Sequence, residues 1–178
     1  VLPINGDPTA ATIVPLGTTY TWSVLPGLEV TGASDEVIPQ NSVNITTDLI
    51  NSSNIDQEVI YTVTPTSDQG CVGPTFELTI TIEPRPIILD KTDAICSGDT
   101  FTLSPTNNAP VEIVPANTLY SWVIQSPNTD LTFLTGYSAE NDQPLISQTL
   151  INTSDEVKTI TYIIIPNTGN CEGLPFEL

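Results

Sequence analysis

Displaced by 100 residues, the chain falls on itself. Ile13-Val14-Pro15 lies on Ile113-Val114-Pro115, and Tyr20-Thr21-Trp22 on Tyr120-Ser121-Trp122. At a displacement of 101, Leu49-Ile50-Asn51 meets Leu150-Ile151-Asn152, and Tyr61 to Pro65 meets Tyr162 to Pro166. The displacement then returns to 100, where Cys71, Gly73, Phe76, Glu77 and Leu78 answer Cys171, Gly173, Phe176, Glu177 and Leu178. Loops absorb one-residue slips of this kind and strands do not. A chain of 178 residues has room for two such units, since domains commonly run to roughly 100 residues. The repeat requires each to close its own core with one pattern.

The phase divides the chain into residues 1–84 and 85–178. Copy two carries Ile95-Cys96-Ser97-Gly98-Asp99-Thr100-Phe101 ahead of Ile113, whereas copy one starts about level with Leu103 and lacks that segment. Copy one runs on from Leu78 through Thr79-Ile80-Thr81-Ile82-Glu83, whereas copy two stops at Leu178. The reading is a window onto a longer array, with the first copy cut at its N-terminus and the second at its C-terminus.

Within each copy the apolar period is two. Tyr20, Trp22 and Val24 alternate with Thr21 and Ser23, and Tyr61 and Val63 with Thr62 and Thr64. Phe76, Leu78, Ile80 and Ile82 form a row against Glu77, Thr79, Thr81 and Glu83, the pattern of a strand with one face on a core and one in water. Tyr162-Ile163-Ile164-Ile165 is apolar on both faces and reads as a central or covered strand. No stretch sustains helical spacing, and 16 prolines punctuate the chain. Strands are expected near 11–14, 18–24, 28–31, 43–50, 58–64 and 75–83 in copy one. In copy two they are expected near 87–90, 94–96, 100–104, 118–124, 131–135, 145–151, 158–165 and 175–178. Short strands separated by Gly, Pro, Asn and Asp clusters give the fold class: all-β, two tandem immunoglobulin-like β-sandwiches. Glu83-Pro84-Arg85-Pro86 reads as a stiff, extended connection that sets adjacent units end to end.

Composition narrows the function. The chain has 21 Asp and Glu against three Lys and Arg, a net charge of -18. A polyanion repels phosphate backbones and anionic headgroups, so neither nucleic acid nor an anionic membrane is an expected partner. Histidine is absent, which removes Ser-His-Asp and Cys-His nucleophiles and histidine-ligated zinc. A carboxylate pair in a cleft could still cleave glycosides. Nothing in the sequence marks a cleft, however, and a duplicated catalytic site is not expected in an array, so the chain is read as no enzyme. No run of about 20 apolar residues offers a membrane span.

Three cysteines in such a chain suggest a disulfide. Cys96 and Cys171, in the same copy, are the preferred pair, with the partner of Cys71 lying ahead of Val1. The bond would close a loop of roughly 75 residues and stabilise the unit by about 4 kcal/mol. Unbonded buried thiols and a Cys71–Cys96 bridge remain open alternatives. Against the preferred pair, the first and last corners of an immunoglobulin topology lie at opposite ends. Trp22 and Trp122, mid-strand with a tyrosine two residues before each, read as core anchors with Tyr61 and Tyr162 rather than as sugar-stacking platforms. Asp35-Glu36, Asp155-Glu156, Glu140 with Asp142, and the acids Glu83, Asp90 and Asp93 near the junction lack the spacing of a calcium loop. No cofactor is expected, calcium at the junction being the one idea worth testing.

The ordered run Ile95-Cys96-Ser97-Gly98-Asp99-Thr100-Phe101, Ile113-Val114-Pro115, Tyr120-x-Trp122, Gln148-Thr149-Leu150 with Asn152-Thr153, Tyr162 to Pro166, and Cys171-x-Gly173 before Phe176 resembles the PKD-like repeats of giant surface adhesins in Bacteroidetes. Copy two departs from it with Ile163-Ile164-Ile165, where Thr-Val-Thr is common. The resemblance implies a secreted, cell-surface protein exported by type IX secretion and moved by a gliding machinery. Its partners would be further repeats of the same polypeptide and a surface polysaccharide or substratum, and this segment would not insert into a membrane. The expected role is an extended stalk in adhesion and gliding, each unit adding roughly 30 to 40 Å. A polysaccharide-binding accessory module of a secreted hydrolase is the alternative.

Overall fold

The structure is a computed structural model and describes residues 12–45, 47–125 and 131–178. It is all-β, with fifteen strands among the described residues. Two compact units divide it, Val1–Asn51 with Asp56–Ile82, and Ser52–Ile55 with Glu83–Leu178.

Unit 1 contains β1 (Thr19–Leu25), β2 (Val30–Thr31), β3 (Glu36–Gln40), β4 (Ile50–Asn51), β5 (Gln57–Thr66) and β6 (Phe76–Ile82). Its main sheet has the order β3-β1-β5-β6, and β2 pairs with β4 apart from it. Unit 2 contains β7 (Thr100–Leu103), β8 (Leu119–Ile124), β9 (Leu134–Thr135), β10 (Glu140–Gln143), β11 (Ile146–Thr149), β12 (Ile151–Asn152), β13 (Tyr162–Thr168), β14 (Cys171–Glu172) and β15 (Phe176–Glu177). Its main sheet runs β10-β8-β13-β14, with β15 also on β13, and the pairs β11-β7 and β12-β9 stand apart from it. All pairings are antiparallel. With β1, β2, β3, β4, β5 and β6 set against β8, β9, β10, β12, β13 and β15, the two sheet orders coincide. One sequence pattern has produced one topology twice.

The register follows the apolar period. Val59, Tyr61 and Val63 of β5 point into the first core with Tyr20, Trp22 and Val30. Tyr162 and Ile164 of β13 enter the second with Tyr120, Trp122, Phe101, Ile146, Ile88 and Phe176. Phe101 and Tyr162 rings meet at 5.9 Å and 46°. The doubly apolar strand is β13, which lies between β8 and the β14/β15 side, with Ile163 and Ile165 half-buried on its second face.

A repeated turn launches the first main-sheet strand of each unit. Thr18 donates to the Pro15 carbonyl through its N–H (3.2 Å) and its hydroxyl (2.7 Å), as Thr118 does to Pro115 (3.4 and 2.8 Å). Gly17 and Asn117, one residue earlier, take φ of 77° and 62°, a conformation open to Gly and tolerated by Asn.

Several strands depart from expectation. β3 and β10 were not expected: both are edge strands, β10 of wholly polar sequence and β3 with its Val37 and Ile38 turned to solvent. Pro39 is compatible with β3 because an edge strand does not need every N–H. Thr12–Val14 and Ala94–Cys96 are not strand, and residue 11 lies outside the described residues. The 87–90 strand reduces to a bridge between Ile87 and Ile113. The 43–50 strand shrinks to its last residue within β4, with residue 46 outside the description, and 145–151 divides into β11 and β12. The 158–165 strand begins only at Tyr162.

Candidate functional site

The conspicuous polar chemistry of unit 2 is internal. The Tyr162 hydroxyl donates to Gln148 Oε1 at 2.6 Å, and Gln148 Nε2 donates to the Ser138 carbonyl and hydroxyl, both at 2.7 Å. Trp122 Nε1 donates to the same carbonyl at 3.0 Å, and the Ser138 hydroxyl donates to Glu140 Oε1 at 2.8 Å. The chain of bonds ties β8, β10, β11 and β13 together, each buried polar group satisfied by the next. Burial in this core, with Tyr137 nearby, pushes the Tyr162 pKa up to about 12. Burial also raises that of Tyr120.

Unit 1 lacks this network. Thr47 stands where unit 2 has Gln148, in the block displaced by 101 residues. The Tyr61 hydroxyl is buried beside the Thr47 side chain and lacks the close hydrogen bond that Tyr162 makes. Burial raises its pKa, with the Thr47 side chain acting in the opposite direction. The sequence marks both tyrosines as core and says nothing of this difference, which turns on the one side chain facing each hydroxyl, Gln148 on β11 in unit 2 and Thr47, outside any strand, in unit 1.

Trp22 and Trp122 are 8% and 3% exposed, so neither offers a face for sugar stacking. All three cysteines are thiols: Cys71 and Cys96 are exposed and Cys171 is half-buried. The expected Cys96–Cys171 bond is not formed. Cys96 borders a cavity beside Tyr162, at the start of β13, whereas Cys171 pairs with Thr168 at its far end. Six strand steps of about 3.3 Å separate those ends, far beyond the ~7 Å between Cα atoms that a disulfide spans. Cys171 Sγ instead donates to Glu83 Oε2 at 3.5 Å.

The acidic residues near residue 90 serve separate local roles. Asp90 Oδ1 accepts the Glu177 N–H and Asp93 Oδ1 that of Ala94, each at 2.8 Å. Asp35 Oδ1 caps the Val24 N–H at 2.8 Å. Among the described residues no group of three or more His, Cys, Asp or Glu could hold a metal ion.

A concavity of about 510 Å³ lies wholly in unit 2 and is lined by Ile95, Phe101, Leu150, Ile160 and Leu178 along its apolar wall. Lys158 borders it with its side chain 8% exposed and its Nζ 3.6 Å from Glu156 Oε2. Asp93, Asp155 and Glu156 also line it, so an apolar wall meets an acidic rim in which Lys158 faces Glu156.

The family model of the PKD-like domain matches the chain twice, over residues 3–86 and 93–178. The chain belongs to that family. Each PKD-like domain takes in one copy of the main-sheet order described above, with one tryptophan buried at its centre. No curated protein matches the chain. No helix among the described residues is long and apolar enough to cross a membrane.

Proposed function

We propose that these tandem PKD-like domains form a non-catalytic segment of a secreted cell-surface adhesin. They act as a stalk that spans distance in adhesion and gliding while ligand recognition sits elsewhere. The observation that carries this reading is the repetition of the main-sheet order around two buried tryptophans, one in each unit. A module selected to bind would expose its aromatic residues. A spacer instead needs repeated, self-contained cores that share load over several antiparallel hydrogen bonds, as β1, β5 and β6 do through registers of seven residue pairs each.

The partners under this reading are further repeats of the same polypeptide and, through the parent protein, a gliding machinery and a substratum. The strong negative charge disfavours nucleic acid and anionic lipid. Single-molecule stretching of the chain between handles tests the proposal. Two separate unfolding events are expected, each releasing on the order of 300 Å at about 3.5 Å per residue. Retention on a panel of immobilised polysaccharides, lost on mutation of a surface residue, would overturn it in favour of the accessory binding module.

A further inference from the structure

The inner faces of the two main sheets repeat each other closely, and the outer faces do not. Away from the core, unit 1 presents Thr19, Thr21 and Ser23 on β1 and Thr62 and Thr64 on β5. At the matching positions of unit 2, β8 presents Leu119, Ser121 and Val123, and β13 presents Ile163 and Ile165. Only the hydroxyl at Ser121 is kept. The aliphatic residues are neighbours: Ile163 pairs with Val123, and Ile165 pairs with Ser121 and so lies diagonally between Leu119 and Val123. Val123 is 56% exposed and Leu119 36%, with Ile163 and Ile165 half-buried. Unit 1 builds the same sheet order with threonine and serine there, so the fold does not require an apolar outer face. Isolated surface aliphatics need no explanation, whereas a contiguous group marks a contact surface.

The rim of this face is acidic. Glu177 of β15 lies opposite Ile163, where its Oε1 accepts from Gln125 Nε2 at 3.2 Å, and Glu172 of β14 lies opposite Asn167. On the other side the Asp142 N–H donates to the Ser121 hydroxyl at 3.0 Å, which sets the exposed Asp142 beside the face. None of these strands contains a lysine or arginine. Lys91, whose N–H donates to the Glu177 carbonyl, has its Nζ held by Glu112 at 2.6 Å. A second copy of this polyanion would bring acid against acid, as would an anionic lipid surface. Both β8 and β13 have strands on either side, so their backbones are paired and only side chains are left to make contact. We propose that this face docks an amphipathic segment of another protein, whose aliphatic residues are flanked by lysine or arginine. The aliphatic row covers Val123, Ile163 and Ile165 while the cations meet Glu172, Glu177 and Asp142. The assignment goes beyond the stalk reading and does not depend on it.

The probe is an amphipathic helical peptide of about 14 residues built from leucine and lysine, with a leucine and glutamate peptide of the same pattern as control. Fluorescence anisotropy with the full chain is expected to show binding of the lysine peptide alone, with amide shifts clustered on β8 and β13. Affinity should fall at least about tenfold when Val123→Ser, Ile163→Thr and Ile165→Thr are combined, which restores the side chains of unit 1 and leaves every charge in place. The reverse exchange, Ser23→Val with Thr62→Ile and Thr64→Ile, is expected to add a second site in unit 1, where Glu77 lies opposite Thr62 as Glu177 lies opposite Ile163. That gain is read even if unit 2 does not tolerate its substitutions. Unchanged binding in both variants would show attraction by net charge alone and overturn the proposal. So would equal binding of the two peptides, no binding of the lysine peptide, or sedimentation showing a dimer that the unit 2 substitutions abolish.

Discussion

At the scale of single residues, the two units differ most at the hydroxyls of Tyr61 and Tyr162. Tyr162→Phe removes the shorter of the two hydrogen bonds that Gln148 Oε1 accepts, the Ser138 N–H remaining at 3.2 Å, so it is expected to cost about 0.5–1.5 kcal/mol. Tyr61→Phe removes a buried hydroxyl that lacks such a close hydrogen bond, and should cost less than about 0.5 kcal/mol or stabilise. Each unit holds one tryptophan, so denaturant unfolding followed by fluorescence in Trp22→Phe and Trp122→Phe backgrounds reads the units separately. Equal losses at the two tyrosines would contradict the hydrogen-bond pattern. The same burial sets an alkaline limit. The unfolded chain ionises at the ordinary tyrosine value of 10.0 and folded Tyr162 only near 12. The unfolded state therefore holds fewer protons between these values. This contribution is fully present below pH 10 and lost as pH rises toward 12, with Tyr120 and Tyr61 acting in the same direction. Tyrosinate absorbance rising together with loss of tryptophan fluorescence in that window is the expected result.

At the scale of elements, close backbone approach and one ion pair fix the connections. Gly32 after β2 and Gly136 after β9 have φ of 90° and 89°, and a Cβ on either would run into the carbonyl oxygen of Asp48 or Thr149. Gly136→Ala is expected to cost at least about 2 kcal/mol, measured by unfolding of unit 2, because the backbone conformation and the overlap both penalise a side chain. In unit 2, Glu112 Oε1 accepts from Lys91 Nζ at 2.6 Å and from the Leu89 N–H at 3.0 Å. The lysine first, and the N–H next, hold its carboxyl below the ordinary value of 4.5. That stability is present above about pH 4.5 and is lost as pH falls through the depressed folded value. Glu112→Gln should cost roughly 1 kcal/mol at neutral pH and flatten the acid limb of the stability profile. The three thiols lead to a further expectation: a reducing agent leaves the thermal midpoint unchanged. β1, β5 and β6 were legible because one face of each meets a core and their apolar residues alternate. β3 and β10 were not, since an edge strand takes its partner from the neighbouring backbone and needs no apolar face.

At the scale of the whole molecule, 21 acidic residues act against three basic ones. Their self-repulsion favours expansion and is screened by salt. The thermal midpoint is therefore expected to rise by a few degrees between about 0.01 and 0.15 M ionic strength; a midpoint insensitive to salt would show that the acids do not interact across the fold. The sequence by itself determined that the chain is β, that its pattern occurs twice, and which tryptophans and tyrosines repeat, because periodicity and self-similarity are properties of order along the chain. Only the tertiary structure decided that Tyr162 finds Gln148 while Tyr61 faces Thr47, and that Cys96 and Cys171 lie at opposite ends of a strand. Those outcomes depend on which strands lie side by side and in what register, and register is settled by packing between segments distant in sequence.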